Sequence, residues 1–352
     1  MNFLSIFRVI TEFIDPEWAH NAAISALKMG IVPSSGTISD PILKTKVWGL
    51  RFENPIGLAA GFDKNGEVVC QMLSQGFGFI EIGTVTPLPQ EGNNKPRLFR
   101  LPIDEGIINR LGFNNKGSQV VLKNLFNIKA SKRIIGINLG KNKDTESYSH
   151  DYILGLLTLA KYASYIVINI SSPNTPGLRK YQRKDILTNL LYVLGQELRK
   201  LNLNPRPPLL LKVAPDLTDK ERYDIAQVVM ESEVDGLIAT NTTISRPGYL
   251  RDRQKSESGG LSGQPLFDIS TRVLSDFFRL TEGRIPIVGV GGVSNGYQAY
   301  QKIRAGASLV QLYSALVYKG PSVVKKINKE LAALLRSDGY EKICDAVGAD
   351  VN

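Results

Sequence analysis

The sequence predicts an α/β protein, a (β/α)8 TIM barrel with an N-terminal two-helix extension. Beyond residue 45, eight short apolar runs alternate with eight longer amphipathic segments, which is the number and order of elements in such a barrel. The chain has 352 residues, 43% of them hydrophobic, which is enough for one large core. A doubly wound open sheet is the alternative. It is weakened because no GxGxxG motif follows the first run.

The predicted strands are short runs rich in Val, Ile and Leu. They cover residues 55–60, 79–83, 134–139, 166–170, 209–213, 236–239, 287–290 and 309–312. The predicted helices lie between them, near 65–75, 115–127, 151–163, 183–200, 218–231, 266–280, 295–304 and 321–336. We assign residues 41–352 to the barrel and 1–40 to the extension.

Apolar residues recur at three- and four-residue steps at the N-terminus, which predicts an amphipathic helix. They are Phe3, Ile6, Phe7, Ile10, Phe13 and Ile14. Pro16 suits the first position of a second helix, which runs to about Gly30 and is expected to bury small residues. These are Ala19, Ala22, Ala23, Ala26 and Leu27. Neither helix is long and apolar enough to span a bilayer, and acidic residues within the run exclude a signal peptide.

Two interpretations of this hairpin remain open. It packs on the barrel, or it lies in the membrane interface as a peripheral anchor. The excess of 43 basic over 33 acidic residues, a net charge of +10, favours an anionic membrane surface, an anionic substrate or a nucleic acid without choosing among them.

Cysteine and histidine are scarce. Cys70 and Cys344 are far apart and expected in helical segments, so neither a disulfide framework nor a zinc motif is predicted. His20 and His150 fall in no motif, and we expect both to be ordinary surface residues. If the chain is an enzyme, its acid–base chemistry comes from other residues and its electron chemistry from a cofactor.

Polar residues stand where the strands end. The fourth run ends in Asn169, followed by a stiff loop of hydroxyl, amide and proline residues over 171–177, and Lys212 lies inside the fifth run. Barrels bind phosphate after strands seven and eight, so Gly291-Gly292 and Tyr313-Ser314 are candidates, with Gly263 in the loop before the sixth helix. A buried Lys212 needs a partner. That partner is either an electron-rich cofactor or a carboxylate in the barrel.

Five motifs together resemble dihydroorotate dehydrogenases. They are Ala59-Ala-Gly-Phe-Asp-Lys64, Asn109-Arg-Leu-Gly-Phe113, Asn169-Ile-Ser-Ser-Pro-Asn-Thr-Pro-Gly177, Ala239-Thr-Asn-Thr242 and Val290-Gly-Gly-Val293. The N-terminal hairpin is similar to the quinone-binding extension of the membrane-associated, quinone-dependent class. Ser172 stands where the soluble classes usually carry a cysteine base.

The resemblance implies an FMN-containing barrel without a metal that oxidises dihydroorotate to orotate in pyrimidine (UMP) biosynthesis. It implies FMN contacts at Ala59, Ala60, Gly61, Thr84, Asn138, Asn169, Lys212, Thr240, Gly263, Gly292, Tyr313 and Ser314. Substrate contacts are implied at Lys64, Asn109, Arg110, Leu111, Gly112, Phe113, Asn169, Asn174, Asn241 and Thr242. Ser172 would remove the C5 proton, passing it on through water or Thr175, while C6 loses a hydride to FMN and Lys212 stabilises the reduced cofactor.

The expected partners are dihydroorotate, a membrane quinone entering between the N-terminal helices, and the membrane surface. A nucleic acid is not expected. The chain is expected to act as a monomer on the cytoplasmic face of a bacterial inner membrane. The alternatives are a soluble-class enzyme that uses fumarate or NAD, another flavin barrel such as a tRNA dihydrouridine synthase, which would need a cysteine in a strand-end loop, and a non-enzymatic binding barrel.

Overall fold

The computed structural model describes residues 14–126, 128, 133–147 and 149–351. Its strands are β1 (Thr45–Val47), β2 (Leu50–Phe52), β3 (Ile56–Leu58), β4 (Phe79–Val85), β5 (Leu98–Leu101), β6 (Gly106–Asn109), β7 (Ile135–Leu139), β8 (Tyr165–Asn169), β9 (Leu209–Val213), β10 (Gly236–Ala239), β11 (Gly260–Gly263), β12 (Ile287–Val290) and β13 (Ala307–Leu312).

The helices pack outside the strands. They are α1 (Pro16–Lys28), α2 (Val69–Leu73), α3 (Ser118–Phe126), α4 (His150–Leu159), α5 (Lys184–Lys200), α6 (Asp219–Glu231), α7 (Phe267–Leu280), α8 (Gly296–Arg304), α9 (Ser314–Lys319) and α10 (Val323–Ser337). Several begin with the capping residues that their sequences provide. Thr218 and Glu221, for example, form a reciprocal capping box at the start of α6.

Parallel strands close into a barrel in the order β3, β4, β7, β8, β9, β10, β12, β13, and β13 pairs back with β3. These are the eight predicted strands, so the predicted fold class is confirmed for the part of the chain that the structure describes. In the ladder, Gly83 pairs with Asn138 and Asn169 pairs with Lys212. Residues from neighbouring strands therefore reach the same level of the barrel.

The amino end of the barrel is closed by a β1–β2 hairpin that the sequence did not predict. Its Val47 and Phe52 join a core inside the barrel with Phe79, Tyr165 and Leu210. The Trp48 indole donates a hydrogen bond to the carbonyl of Asp235 at 2.7 Å. A second core lies between the strands and the surrounding helices.

The carboxyl end is covered by an antiparallel sheet of β5, β6 and β11. The expectation that Gly263 lies in a loop was wrong, because it is the last residue of β11, and Asn109 is likewise the last residue of β6. The sheet joins the segment after β4 to the segment after β10. These segments are distant in sequence, so local pattern could not reveal their pairing.

Of the N-terminal extension, the second helix is observed as α1, with Asp15 as its N-cap. Most of the first predicted helix, including Phe3, Ile6, Phe7, Ile10 and Phe13, lies outside the described residues. The expectation that α1 buries its small residues holds for Leu27 but is wrong for Ala23, which is exposed. No helix within the described ranges is long and apolar enough to cross a membrane.

Candidate active site

A cavity of about 590 Å³ opens at the carboxyl end of the barrel and extends beneath α1. We call its polar part the inner chamber, which is lined by Lys64, Thr84, Asn109, Asn169, Ser172, Asn174, Lys212 and Asn241. We call the part beneath α1 the outer channel, which is lined by Pro16, Ala19, His20, Ala23, Leu27, Leu98 and Pro102. Active sites of barrel enzymes lie at this end of the strands.

Side-chain amides from neighbouring strands form a connected network in the inner chamber. The Asn169 amide nitrogen donates to Thr84 Oγ1 at 2.9 Å and to Asn138 Oδ1 at 3.1 Å. Asn241 donates to Asn169 Oδ1 at 3.3 Å and to Ser171 Oγ at 3.1 Å. Because each amide is held by another, the donors and acceptors facing the chamber have fixed directions.

A buried carboxylate beneath the chamber escaped the sequence analysis. Glu81 on β4 accepts hydrogen bonds from Asn138 at 2.8 Å and Gln311 at 2.6 Å, and its Oε1 lies 3.8 Å from Lys212 Nζ. Burial lowers the pKa of Lys212, and the charge of Glu81 acts in the opposite direction. The barrel carboxylate considered as a partner for Lys212 therefore exists. Its sequence signal was a glutamate inside the apolar run over 79–83.

The loop after β8 presents Ser172 to the chamber. Ser172 is buried, and its Oγ accepts the backbone N–H of Asn174 at 3.2 Å. Thr175, three residues on, is also buried, and its Oγ1 has no hydrogen-bond partner among the described residues. Neither His20 nor His150 forms a hydrogen bond to Ser172.

Arg179 fixes this loop against its neighbour across the chamber. Its guanidinium donates to the carbonyl of Ser171 at 3.0 Å and to the carbonyl of Thr242 at 3.0 Å. It also pairs with Asp216 at 2.8 Å. This residue was not singled out from the sequence, although it lies two residues beyond the Pro-Gly end of the loop motif.

Amides also meet across the mouth of the chamber. Asn174 donates to Asn109 Oδ1 at 3.1 Å, and Asn93 donates to the carbonyls of Asn174 and Arg110, both at 3.0 Å. Burial lowers the pKa of Lys64 to about 8, with a smaller opposing effect from Glu17. A chamber with this lysine and several amides suits a small planar anion.

The strand ends of β12 and β13 form an anion cradle. Gly291 and Gly292 have φ angles of 119° and 77°, which residues with a side chain rarely adopt. A Cβ on Gly292 would lie 2.5 Å from the Cβ of Phe267. Within the described residues, the backbone N–H groups of Gly292, Val293, Tyr313 and Ser314 have no protein acceptor. Such groups bind phosphate in barrels.

The outer channel contains His20, and the expectation that this histidine is an ordinary surface residue was wrong. Its ring lies 5.3 Å from that of Phe62 and 6.5 Å from that of Tyr313, measured between ring centroids. Burial lowers the pKa of His20 to about 3. His150 is exposed, as expected. The burial of His20 could not be predicted from the sequence, because it depends on contacts with Phe62 and Tyr313, which are distant in the chain.

A buried ion pair joins α1 to the barrel. Glu17 accepts from Arg97 at 2.6 Å and 3.0 Å, and the Arg97 guanidinium also donates to the carbonyls of Glu91 and Asn93. The Arg97 hydrogen bond lowers the pKa of Glu17. Breaking such a pair by removing one partner typically costs about 3–5 kcal/mol.

Most predicted site residues line the cavity. They are Ala59, Ala60, Gly61, Lys64, Thr84, Asn109, Leu111, Gly112, Phe113, Asn169, Ser172, Asn174, Lys212, Thr240, Asn241, Thr242, Gly263, Gly292, Tyr313 and Ser314. Asn138 is buried beneath the chamber and acts through Thr84 and Asn169. The Arg110 side chain points elsewhere, to Glu257 and Ser258.

Comparison with known proteins gives a consistent result. A family model described as dihydroorotate dehydrogenase matches residues 42–335. The chain belongs to the dihydroorotate dehydrogenase family. A protein of Azorhizobium caulinodans named dihydroorotate dehydrogenase (quinone) is 52% identical, with 100% of both chains covered. The mitochondrial dihydroorotate dehydrogenase (quinone) of Mus musculus is 47% identical over 97% of this chain and 88% of its own length.

Solved structures of dihydroorotate dehydrogenases have the same fold as this chain. The Eimeria tenella enzyme in complex with ferulenol has a TM-score of 0.93 and 43% identity, with 96% of each chain covered. The family is one of oxidoreductases. Neither Cys70, in α2, nor the exposed Cys344 lines the cavity, so the tRNA-modifying alternative lacks the cysteine that it would require.

Proposed function

We propose that this chain oxidises dihydroorotate to orotate in pyrimidine biosynthesis, with FMN as cofactor and a membrane quinone as electron acceptor. The observation that carries the proposal is the cavity itself. A polar chamber holding Ser172 and a set of amides continues into an apolar channel beneath α1. A polar substrate and an apolar acceptor would thus occupy different parts of one cavity. The names of the relatives from Azorhizobium and mouse support this assignment.

The residues present fit FMN. The N–H groups of Gly292, Val293, Tyr313 and Ser314 suit its phosphate, and the buried Lys212 suits the electron-rich edge of its ring. Thr84, Asn169 and Thr240 would contact the ring, with Asn138 supporting them from below. Ala59, Ala60, Gly61 and Gly263 would allow close backbone approach. When bound, FMN supplies reversible two-electron chemistry between the substrate and the quinone.

Dihydroorotate would be held by charge and by amides. Lys64 would form an ion pair with its carboxylate. The imide edge would be bound by the side chains of Asn109, Asn174, Asn241 and Thr242. Asn169 would lie between substrate and cofactor. Leu111, Gly112 and Phe113 would cover the ring with their backbone and side chains, and Arg110 would contribute by fixing Asn93 through its carbonyl.

Ser172 would take the proton from C5 of the substrate. A serine hydroxyl must release its own proton as it does so. The Asn174 N–H on Ser172 Oγ stabilises negative charge that develops on that oxygen. Thr175 lies in the same loop with a hydroxyl that no described residue binds, so it or a water is the proposed route by which the proton leaves. Lys212 would stabilise the negative charge of the reduced flavin.

The quinone would enter through the outer channel. Its walls are alanine, leucine and proline side chains with His20 near the inner end. Residues 1–40 would form the channel and rest on the membrane surface, with 41–352 as the catalytic barrel. The protein would act as a monomer, peripheral to the cytoplasmic face of a bacterial inner membrane, and would need no nucleic acid.

Anaerobic spectroscopy tests the proposal. Dihydroorotate added to the FMN-loaded protein should bleach the flavin absorbance, and a short-chain ubiquinone should restore it. Fumarate and NAD should restore it far more slowly. A flavin that dihydroorotate fails to bleach would refute the reaction. Faster recovery with fumarate or NAD than with the quinone would refute the quinone assignment and favour the soluble-class alternative.

A further inference from the structure

Lys302 is a buried lysine that the proposed reaction leaves without a role. It lies on α8 with none of its surface exposed. Its Nζ donates to Ser270 Oγ at 2.7 Å and lies 5.2 Å from the ring centroid of Phe267. The cation is therefore enclosed between α7 and α8.

This lysine lacks the partner that a buried cation normally needs. No carboxylate of the described chain lies within ion-pair distance of Lys302 Nζ, and Asp268, whose charge acts on it, is exposed. Burial lowers the pKa of Lys302 well below its usual range. An unpaired ammonium group is costly to bury, and a contact with an aromatic ring offsets part of that cost. Another negative charge nearby would explain its position.

The position of Lys302 indicates where that charge would come from. Ser270 Oγ, which accepts from Lys302, lies 3.2 Å from the carbonyl oxygen of Gly291 and 3.0 Å from that of Phe267. A Cβ on Gly291 would lie 2.6 Å from the same hydroxyl. Ser270 thus connects Lys302 to the Gly291–Gly292 turn by hydrogen bonds. This is the turn whose backbone N–H groups lack a protein acceptor among the described residues.

We propose that Lys302 is a specificity-determining residue for the cofactor's phosphate. It holds the Gly291–Gly292 turn through Ser270, and it supplies the buried positive charge by which the site prefers a phosphorylated flavin to an unphosphorylated one. The inference rests on the proposed use of FMN. Here the phosphate dianion is the missing counter-charge of Lys302, and the lysine needs no direct contact with it because the intervening Ser270 and Gly291 are buried, where charges interact more strongly than in water.

A purely structural lysine would behave differently. It would fill space and hold the helices together, so its loss would weaken the binding of any flavin equally. A phosphate determinant acts on one part of the ligand. Its loss should weaken FMN binding while leaving riboflavin, which has the same ring and no phosphate, unaffected.

The decisive variant is Lys302→Met in the full chain, because methionine keeps the length of the stem and removes the charge. Dissociation constants for FMN and riboflavin are measured by quenching of flavin fluorescence on titration of the apoprotein. We expect the FMN constant to rise roughly 10- to 100-fold, the scale of one buried charge interaction, and the riboflavin constant to change less than about twofold. Lys325→Met, an exposed position on α10, removes the same net charge and should leave both constants unchanged.

Thermal unfolding of the same proteins separates the two roles. Since an unpaired buried cation is removed, apo Lys302→Met should unfold at the wild-type temperature or above it, and FMN should raise that temperature less than in the wild type. Ser270→Ala is the second variant. It keeps the charge, so it should weaken FMN binding less than Lys302→Met but still more than riboflavin binding.

Equal losses for FMN and riboflavin would overturn the inference, as would an FMN constant within twofold of wild type. A lower unfolding temperature of apo Lys302→Met, with Ser270→Ala affecting both flavins equally, would also overturn it and assign the lysine a structural role. A wild-type protein that binds neither flavin would overturn the FMN assignment as well. Failure of the inference alone leaves wild-type FMN binding intact.

Discussion

The inner chamber and the outer channel belong to one cavity but are built in different ways. Chamber side chains such as Asn169 and Asn241 are held by other side chains, and they come from strands that the barrel closure brings together. Channel residues such as Ala19, Ala23 and Leu27 come from one helix and face the cavity without such a network. Fixed dipoles suit a reaction that moves charge, whereas a smooth apolar wall suits the passage of an apolar molecule.

This difference predicts that substitutions in the two regions affect separate half-reactions. Chamber variants should slow reduction of the flavin by dihydroorotate, and channel variants should slow its reoxidation by quinone. The Glu17–Arg97 pair joins the regions structurally. A variant in one region that impaired both half-reactions without unfolding the protein would contradict this division of roles between chamber and channel.

The largest effect is expected for Ser172→Ala. Removing a general base typically costs about 10²- to 10⁴-fold in rate, so stopped-flow reduction of the flavin by dihydroorotate should fall by that factor. FMN content, measured by absorbance, should stay at the wild-type level. Thr175→Ala should show a smaller loss, because water can replace its hydroxyl. Near-normal reduction by Ser172→Ala would remove Ser172 from the proposed mechanism.

A loss of roughly 10- to 100-fold in substrate affinity is expected for Lys64→Met, since a hydrogen bond to a charged group contributes about 1.5–3 kcal/mol. The wild type should show a related pH dependence. The pKa of Lys64 is lowered to about 8, so the free protein loses the positive charge above that pH. Substrate affinity should therefore fall about tenfold per pH unit there. Lys64→Met should bind equally weakly from pH 7 to 9; a surviving decline would assign the titration to another group.

In the outer channel, Ala23→Trp should obstruct the path without touching the chamber. Quinone-dependent reoxidation should slow by roughly tenfold or more, a barrier increase of about 1.4 kcal/mol or more. Reduction by dihydroorotate should be unchanged. Asn21→Trp, at an exposed position of the same helix that does not line the cavity, is the matched control. Equal loss in both variants would show that the effect arises on the outer surface of α1 and not within the channel.

The smallest effect is expected for the pH dependence of protein stability that arises from His20 in the channel wall. The pKa of His20 is lowered to about 3 in the folded protein from 6.5, so the unfolded chain binds a proton that the folded chain excludes. His20 therefore costs stability progressively as pH falls from 6.5 toward 3 and costs nothing above that range. His20→Phe, which retains an aromatic ring near Phe62 and Tyr313, should unfold at temperatures less sensitive to acid. Parallel unfolding curves for the two proteins from pH 7 to 4 would contradict the burial of a neutral imidazole.

The residues of the chamber could be located from the sequence better than those of the channel, for a physical reason. Strand periodicity places the residue after each strand at a known end of the barrel, so Asn169, Lys212 and Asn241 could be assigned to one pocket from their positions. No such rule positions a peripheral helix. His20 was therefore taken for a surface residue, although α1 itself was predicted correctly.

Long-range contacts account for the remaining differences. Glu81 could be read as a lone acidic residue in a strand, but its distance from Lys212 depends on how β4 and β9 face each other across the barrel. Arg110 belongs to a motif that implied a substrate contact, yet its side chain pairs with Glu257, 147 residues away. The β5–β6–β11 sheet is likewise formed between distant segments.

The sequence by itself determined the barrel, the positions of its eight strands to within about two residues, the polar strand ends and the family resemblance, because these depend on periodicity and on motifs of a few residues. The tertiary structure alone decided that an apolar channel joins the chamber beneath α1. It also decided that Glu81 lies beneath Lys212 and that the unpaired Lys302 lies behind the Gly291–Gly292 turn. Those properties depend on which surfaces meet, and the free energy of a buried charge is set by neighbours that are distant in the chain, as Glu81 is from Lys212.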